Sequence, residues 1–190
     1  MKYYKLLYCG DNGEDYINCE HYEIGDKDSY CLNTGTPIYD WEGIVFSYNS
    51  CEGKIISDYI SNSLDWFIVT EKFERLLDSN GYIPDTCQAL PVDVQDESGL
   101  NRTITAYAIN IIDYLFDAID FEKSDYSILR YEDIEMTSIR KFVLKQEMIS
   151  GHDIFCLKES PMYKFVSEKI KNLITDNELT GFDFIEVSVV

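Results

Sequence analysis

The sequence contains one motif twice. Residues 68–77 read IVTEKFERLL and residues 165–174 read FVSEKIKNLI, an offset of 97 positions in a chain of 190. In each copy an apolar run precedes Thr or Ser, then Glu-Lys, then apolar residues at helical spacing. A short β-branched and aromatic run is typical of a buried strand, and i, i+3, i+4 spacing is typical of an amphipathic helix. The repeat therefore predicts two similar strand-turn-helix units, at residues 65–80 and 162–177.

The turn in each copy has the chemistry of a helix start. Thr70 and Ser167 stand where an N-cap hydroxyl accepts a hydrogen bond from the first free helix amides. Glu71 and Glu168 follow at the first helical position, where the helix dipole favours negative charge. Helix capping and the helix dipole explain why these polar residues are present, so no catalytic role is needed to account for them. We therefore interpret the two copies as structural joints rather than as a pair of reactive centres.

The rest of the chain predicts more strand than helix. Residues 44–49, 103–112 and 182–190 alternate or are rich in β-branched residues, so each predicts a strand. Residues 113–121 predict a short helix, with Tyr114 and Leu115 on one side. Residues 139–159 predict a hairpin around Ser150-Gly151. The Asn-Gly sequence at residues 11–15 predicts a turn.

These elements indicate an α+β fold. We expect a single domain with a mostly antiparallel or mixed sheet and short amphipathic helices. The irregular composition of residues 1–62 predicts an N-terminal strand and loop subdomain, followed by the α+β domain at residues 63–190. A chain of this length can bury a sizeable core, roughly 70% of its unfolded surface.

Acidic residues dominate the charge of the chain. It carries 35 Asp and Glu against 16 Lys and Arg, a net charge of -19. The region 76–122 has nine acids against one base, Arg102. Such a chain repels phosphate backbones and anionic membrane surfaces, so we expect neither nucleic acid nor membrane as a partner. It attracts basic proteins, although a solvated face that keeps the chain soluble explains the same composition.

Motifs for catalysis or cofactor binding are missing from the sequence. It contains no GxxxxGK[ST], GxGxxG, GxSxG or HExxH, and its histidines are His21 and His152 alone. The six cysteines form no CxxC pair, so zinc-ribbon spacing is absent. No apolar stretch resembles a signal peptide or a membrane span. We therefore expect a cytoplasmic protein that is not an enzyme and uses no cofactor or metal.

Several phrases, taken in order, resemble one protein family. They are WFIVTEKFERLL, ALPVDV, AYAINIIDYLFDAIDFEKSDY, GHDIFCLKE and KFVSEKIKNLITDNELTGFDFIEV. Together they resemble immunity protein family eleven of bacterial polymorphic-toxin systems, over residues 65–187. The Ser-Glu-Lys, helix and Thr-Gly-Phe-x-Phe pattern at the end is the most specific part. No catalytic residue is carried over from this family.

The resemblance implies a cytosolic antidote, made beside a toxin and binding it without catalysis. The cognate toxin, encoded in the adjacent gene, would be the partner. Two other classes stay open: a small carboxylate-based enzyme, as a hydrolase or one that reverses a toxin's modification, and a general interaction scaffold. The acid-rich region supplies the candidate toxin-binding residues, which are Asp93, Asp96, Glu97, Asp113, Asp117 and Asp120. Residues 1–62, which resemble the family least, are an equal rival for the interface, because contacts specific to one toxin can vary there.

Overall fold

A computed structural model of the protein describes residues 1–10, 15–131 and 134–190. The strands in these ranges are β1 Tyr3–Tyr8, β2 Asn18–Glu23, β3 Val45–Tyr48, β4 Tyr59–Asn62, β5 Ile68–Thr70, β6 Cys87–Asp96, β7 Ile104–Ile111, β8 Tyr114–Leu115, β9 Asp125–Tyr131, β10 Ile134–Lys141, β11 Val143–Leu144, β12 Ile154–Leu157, β13 Ser160–Ser167 and β14 Phe182–Val189. The helices are α1 Glu71–Ser79, α2 Gln146–Ile149 and α3 Glu168–Asp176. The turn predicted at residues 11–15 lies, apart from Asp15, outside the described residues.

Twelve of the strands form two sheets. β2, β3, β6, β7, β5 and β4 close into a barrel in that order, with parallel pairing only at β3–β6 and β2–β4. An open six-stranded sheet has the order β11, β14, β1, β13, β12, β8 and is antiparallel except at its two outermost pairs. β9 and β10 form a separate two-stranded ribbon. The expected mostly strand-built α+β class is confirmed.

Three apolar clusters make the core. One fills the barrel around Phe46, Trp66 and Ile68. A second lies between the barrel and the open sheet, where Phe73 of α1 and Ile170 of α3 also pack. The third covers the opposite face of the open sheet. Because both faces of that sheet are covered, neighbouring residues of β13, such as Phe165 and Val166, are both buried.

The two copies of the repeated motif each place a strand before a nine-residue helix. Ser167 caps α3 as expected, because its hydroxyl oxygen accepts the Lys169 amide at 3.2 Å. Thr70 occupies the N-cap position of α1, but the expected hydroxyl cap is wrong: the Thr70 hydroxyl donates to Asp58 at 2.6 Å. The similarity of the two units in three dimensions stays a prediction.

Two of the predicted elements are wrong. Residues 113–121 form no helix: Tyr114–Leu115 is strand β8, paired in parallel with β12, and Asp117 adopts φ 53°. Residues 139–159 are no hairpin, because β11 pairs with β14, β12 pairs with β13, and α2 lies between them. In both cases pairing with a distant strand overrides the local period, which tertiary context often does.

The boundary predicted near residue 62 stays a prediction. The chain crosses between the two sheets more than once: β1 pairs with β13 and β14, and β2, β3 and β4 belong to the barrel. Within the described part of the chain, the longest helices have nine residues, and none is long and apolar enough to cross a membrane.

Candidate functional site

The outer face of the barrel gathers carboxylates from β2 and β6, which lie on either side of β3. β3 pairs in parallel with β6, so Val45 lies beside Asp93, and it pairs on its other side with β2, so Val45 also lies beside Glu23. Side chains alternate along a strand, and Phe46 and Val94 point into the barrel core. Glu23 and Asp93 therefore both project outward and are exposed, about 10 Å apart across β3.

A shallow depression at the end of these strands adds further acids. It has a volume of about 80 Å³ and is lined by Glu20, Glu52 and Glu97, with His21 among them. The Nδ1 atom of His21 lies 2.6 Å from the Glu97 carboxylate. We call Glu20, Glu23, Glu52, Asp93 and Glu97 together the acidic barrel face.

Asp96 lies next to this face but serves the fold. Its side chain is buried and accepts hydrogen bonds from Ser50, Ser98 and Asn101, at 2.7 to 3.3 Å. Burial alone would raise the pKa of Asp96, but the hydrogen bonds from Ser98 and Ser50 outweigh it and hold the pKa well below its usual range. The carboxylate closes the turn between β6 and β7 and is not offered to a partner.

The other three candidate residues lie far from the first three. Cys87 pairs with Ile111 and Val94 pairs with Ile104, so Asp113 follows the end of the hairpin opposite to Asp96. At roughly 3.3 Å per residue, the length of β6 separates these ends by about 30 Å. The six candidates therefore form two groups: Asp93, Asp96 and Glu97, and then Asp113, Asp117 and Asp120.

Members of the second group differ in their surroundings. Asp113 lies 2.7 Å from Nδ1 of His152, which comes shortly before β12. Asp120 accepts the amides of Glu122 and Lys123 and pairs with the Lys123 ammonium at 3.1 Å. The side chain of Asp117 is exposed. Asp113 is thus engaged with a histidine side chain and Asp120 with the backbone, whereas Asp117 is accessible.

Sequence reasoning did not single out three members of the acidic barrel face: Glu20, Glu23 and Glu52. They lie outside the acid-rich region 76–122. The parallel β3–β6 pairing brings them beside Asp93 and Glu97, and parallel pairing depends on a long crossover that no local pattern encodes. The pattern of β2, with buried Cys19 between exposed Asn18 and Glu20, is a signal for an outward strand face.

A polar network around Asp153 is the arrangement that most resembles a catalytic centre. Ser167 donates to Asp153 at 2.6 Å, Tyr82 at 2.9 Å and the Lys169 ammonium at 3.1 Å. Ser167 is fully buried, so its hydroxyl cannot reach a substrate. Interactions with Tyr82 and Asp153 raise the pKa of Lys169, which keeps it protonated and unable to act as a base or nucleophile. The network joins α3 to β12.

In the described ranges, no three His, Cys, Asp or Glu side chains are grouped so that they could hold a metal ion. The acidic barrel face collects exposed negative charge from residues that are far apart in the sequence. Its chemistry fits contact with a positively charged partner, since opposite potentials across an interface favour association.

Comparison with known protein families gives a match. The model of a family described as an immunity protein family, Imm11, matches residues 11–189. No curated protein shows significant similarity to the chain. The match extends well beyond residues 65–187, the range of the resemblance described above, and includes all of β2 to β5. Because it spans almost the whole chain, the protein belongs to the Imm11 immunity protein family, which implies a role in immunity against a toxin.

Proposed function

We propose that this protein neutralises a cognate toxin, encoded beside it, by binding the toxin and covering its active site without catalysis. The acidic barrel face is the observation that carries the proposal. Five exposed carboxylates from three parts of the chain converge there, and His21 is the one side chain lining the depression that can become positive. A basic toxin surface is the complementary partner.

Charge suits the task of an immunity protein, which must capture its toxin quickly. Complementary charge can raise an association rate constant toward 10⁸–10⁹ M⁻¹s⁻¹, from roughly 10⁵–10⁶ for neutral partners. A net charge of -19 supplies a long-range field, and the barrel face concentrates it. The same charge opposes binding to nucleic acids and to anionic membranes. We place the protein in the cytoplasm, where it would meet an incoming or newly made toxin.

Binding rather than catalysis is favoured by the state of the polar side chains. The Asp153 network has a buried hydroxyl and a protonated lysine, as described above. Replacing Lys169 with Ala should therefore leave protection against the toxin intact. Loss of protection by a folded Lys169→Ala protein would instead favour an enzymatic antidote.

Co-expression with the toxin from the neighbouring gene tests the proposal. Wild-type protein should restore growth, and the triple variant Glu52→Lys, Asp93→Lys, Glu97→Lys should protect poorly while staying folded. The control variant Asp78→Lys, Asp85→Lys, Asp176→Lys changes net charge equally at exposed positions outside the acidic barrel face and should protect. If wild-type protein gives no protection, the proposed function is wrong. If both triple variants behave alike, the barrel face is not the interface.

A further inference from the structure

The two edges of the open six-stranded sheet differ. At the β8 edge, Gly35 packs closely against the side chain of Tyr114, so a loop covers that edge. At the other edge, β11 pairs with β14 only at Ser188 and Val189. Within the described chain, residues 182–187 of β14 therefore pair with β1 alone and have an open side.

Hydrogen bonds at the two ends of β14 show which of its backbone groups point to the open side. Before the strand, the Cys9 amide donates to the Gly181 carbonyl oxygen at 2.9 Å, on the β1 side. After it, the Val190 amide donates to the Leu144 carbonyl oxygen at 2.9 Å, on the β11 side. Successive residues of a strand bond alternately to its two sides, so even-numbered residues of β14 point to the open side. These residues are Phe182, Phe184 and Glu186.

The backbone groups on this open edge lack a strand partner. Within the described part of the chain, neither strand pairing nor a turn supplies a backbone hydrogen bond to them on that side. The Phe184 amide donates instead to the adjacent Asp183 carboxylate at 2.7 Å. The side chains of Asp183, Ile185 and Glu186 are exposed. A row of unpaired amides and carbonyls recognises one chemistry, which is another extended backbone.

The charge beside the open edge is unusual for this chain. A cleft of about 110 Å³ runs along the edge and is lined by three bases, Lys5, Arg140 and Lys141, against one acid, Glu186. Arg140 is paired with Asp125, and Glu186 is paired with Lys2. In the described ranges, Lys5 and Lys141 make no ion pair. The edge therefore favours an incoming strand that brings an acidic side chain to the cleft.

The β14 strand of a second copy meets both requirements. In an antiparallel pairing with its two-fold axis at Phe184, Phe182 of each copy lies opposite Glu186 of the other, and these pairs exchange main-chain hydrogen bonds. Asp183 of one copy then lies opposite Ile185 of the other, beside the cleft. Once the Phe184 amide bonds to the second copy, the Asp183 carboxylate is released to approach Lys141 across the interface. The edge is thus complementary to itself in hydrogen bonding and in charge.

A pairing of this kind leaves the acidic barrel face uncovered. The open sheet packs against the β4, β5 and β7 side of the barrel, where Tyr59, Phe67 and Ile109 join the shared cluster. The acidic barrel face lies on β2 and β6, to either side of β3. The most acidic surfaces of two copies are then kept away from the contact, where repulsion between chains of net charge -19 would otherwise be strongest.

We propose that this protein forms a symmetric dimer in which the β14 strands of two copies pair in antiparallel register. The two six-stranded sheets then join into one sheet of twelve strands. The proposal goes beyond the proposed function and does not depend on it. The dimer would present two acidic barrel faces to solvent. Since the paired edge is short, we expect a dissociation constant in the micromolar range.

Light scattering over a concentration series tests the dimer with a matched pair of variants. Glu186→Pro removes an amide that the fold itself does not use, and proline is tolerated at such positions of edge strands. It should raise the dissociation constant of the dimer at least about tenfold. Glu186→Ala loses the same side chain and the same ion pair with Lys2 but keeps the amide, so it should dimerise like wild type. Circular dichroism verifies that both variants are folded.

Two further measurements do not depend on the proline variant. In wild-type protein, the amides of Phe182, Phe184 and Glu186 should exchange hydrogen slowly when dimeric and faster on dilution, whereas those of Ile185 and its odd-numbered neighbours should stay slow in both states. Lys141→Glu should weaken the dimer, and adding Asp183→Lys should restore it, because the swap returns opposite charges to the cleft.

The remaining outcomes overturn the proposal. Wild-type protein that stays monomeric throughout the series, or a dimer that Glu186→Pro and Glu186→Ala affect equally, rules out pairing through β14. A monomer whose even-numbered β14 amides become protected only when the inactivated toxin is added would assign the edge to a strand of the toxin. Failure of the protein to protect against the toxin would sink the proposed function and leave the dimer standing.

Discussion

Asp58 and Thr180, which are 122 residues apart, each donate a backbone amide to the side chain of the other. The Thr180 amide donates to the Asp58 carboxylate at 3.0 Å, and the Asp58 amide donates to the Thr180 hydroxyl oxygen at 3.1 Å. The Asp58 carboxylate also accepts the hydroxyl of Thr70, ahead of α1. This exchange ties the barrel to the open sheet. It gives the Thr-Gly-Phe-x-Phe pattern near the C-terminus a structural reason.

Replacing Thr180 with Ala should destabilise the protein by about 1–2 kcal/mol. The change leaves the Asp58 amide without its acceptor, and a lost hydrogen bond of this kind has about that effect. Urea unfolding monitored by circular dichroism measures it. Thr103→Ala, at an exposed loop position, should change the free energy of unfolding by less than about 0.5 kcal/mol. Equal decreases in the free energy of unfolding of the two variants would show that the Asp58–Thr180 hydrogen bonds do not stabilise the fold.

Gly181→Ala should be more harmful than Gly43→Ala. Both glycines have positive φ, +82° and +67°, so each substitution strains the backbone. A methyl group at position 181 would lie 2.6 Å from the backbone oxygen of Tyr59, whereas the same group at position 43 meets nothing within 4 Å. Thermal melting of the pair isolates the clash. A Gly43→Ala protein that melts as low as Gly181→Ala would contradict the close approach.

Asp153→Asn should destabilise the protein at neutral pH by about 1–3 kcal/mol, and the difference from wild type should shrink in acid. Burial alone would raise the pKa of Asp153, but hydrogen bonds from Ser167, Tyr82 and Lys169 bring it below the usual value. A carboxyl group whose folded pKa is lowered stabilises the fold above its unfolded pKa, about 4. That stabilisation is lost as pH falls through the folded pKa. Urea unfolding at pH 7, 5 and 3 checks this.

The exposed Asp78→Asn variant is the control at pH 7 and should differ little from wild type. A difference between Asp153→Asn and wild type that grows below pH 4 would contradict the assignment.

Cys51 should react with iodoacetamide in the native protein, while Cys19, Cys87 and Cys156 should not. Burial raises the pKa of each of these three thiols to about 12, whereas Cys51 is exposed. At a given pH, the fraction of such a buried thiol that is ionised to the reactive thiolate is roughly three orders of magnitude lower than for an ordinary thiol. Peptide mass spectrometry after timed labelling follows each site. Native labelling of Cys156 as fast as Cys51 would be incompatible with the packing between the sheets.

Association with the toxin should slow as salt rises. Between 50 and 500 mM NaCl the association rate constant of wild-type protein should fall at least tenfold, because the Debye length shrinks to a few ångströms. The Glu52→Lys, Asp93→Lys, Glu97→Lys variant should have a lower association rate constant at 50 mM NaCl, and that rate constant should depend less on salt. Stopped-flow fluorescence measures both, with Asp78→Lys, Asp85→Lys, Asp176→Lys as the control of equal net charge. A salt-independent wild-type rate would rule out electrostatic steering.

Sequence patterns found the elements whose signals are local. The strands near residues 44–49, 103–112 and 182–190 are present as β3, β7 and β14, and Ser167 caps its helix. The predicted helix at residues 113–121 failed because β8 finds a parallel partner in β12. The spacing of apolar residues in 113–121 is compatible with a helix, but the same residues are buried more favourably as an extended strand that pairs with the sheet. The predicted site was found only in part. Asp93 and Glu97 were named because they lie in the acid-rich region 76–122, whereas their neighbours Glu20, Glu23 and Glu52 lie outside it.

The sequence by itself determined the family, the strong negative charge and the Ser167 cap of α3, because each depends on residue identity or on contacts within a few positions. Only the tertiary structure decided which carboxylates share a surface. The β2–β3 and β3–β6 pairings set Glu23 and Asp93 on either side of Val45, while the length of β6 carries Asp113 about 30 Å away from Asp96. Strand register is fixed by burying distant apolar residues together, so the placement of surface charge follows from the core.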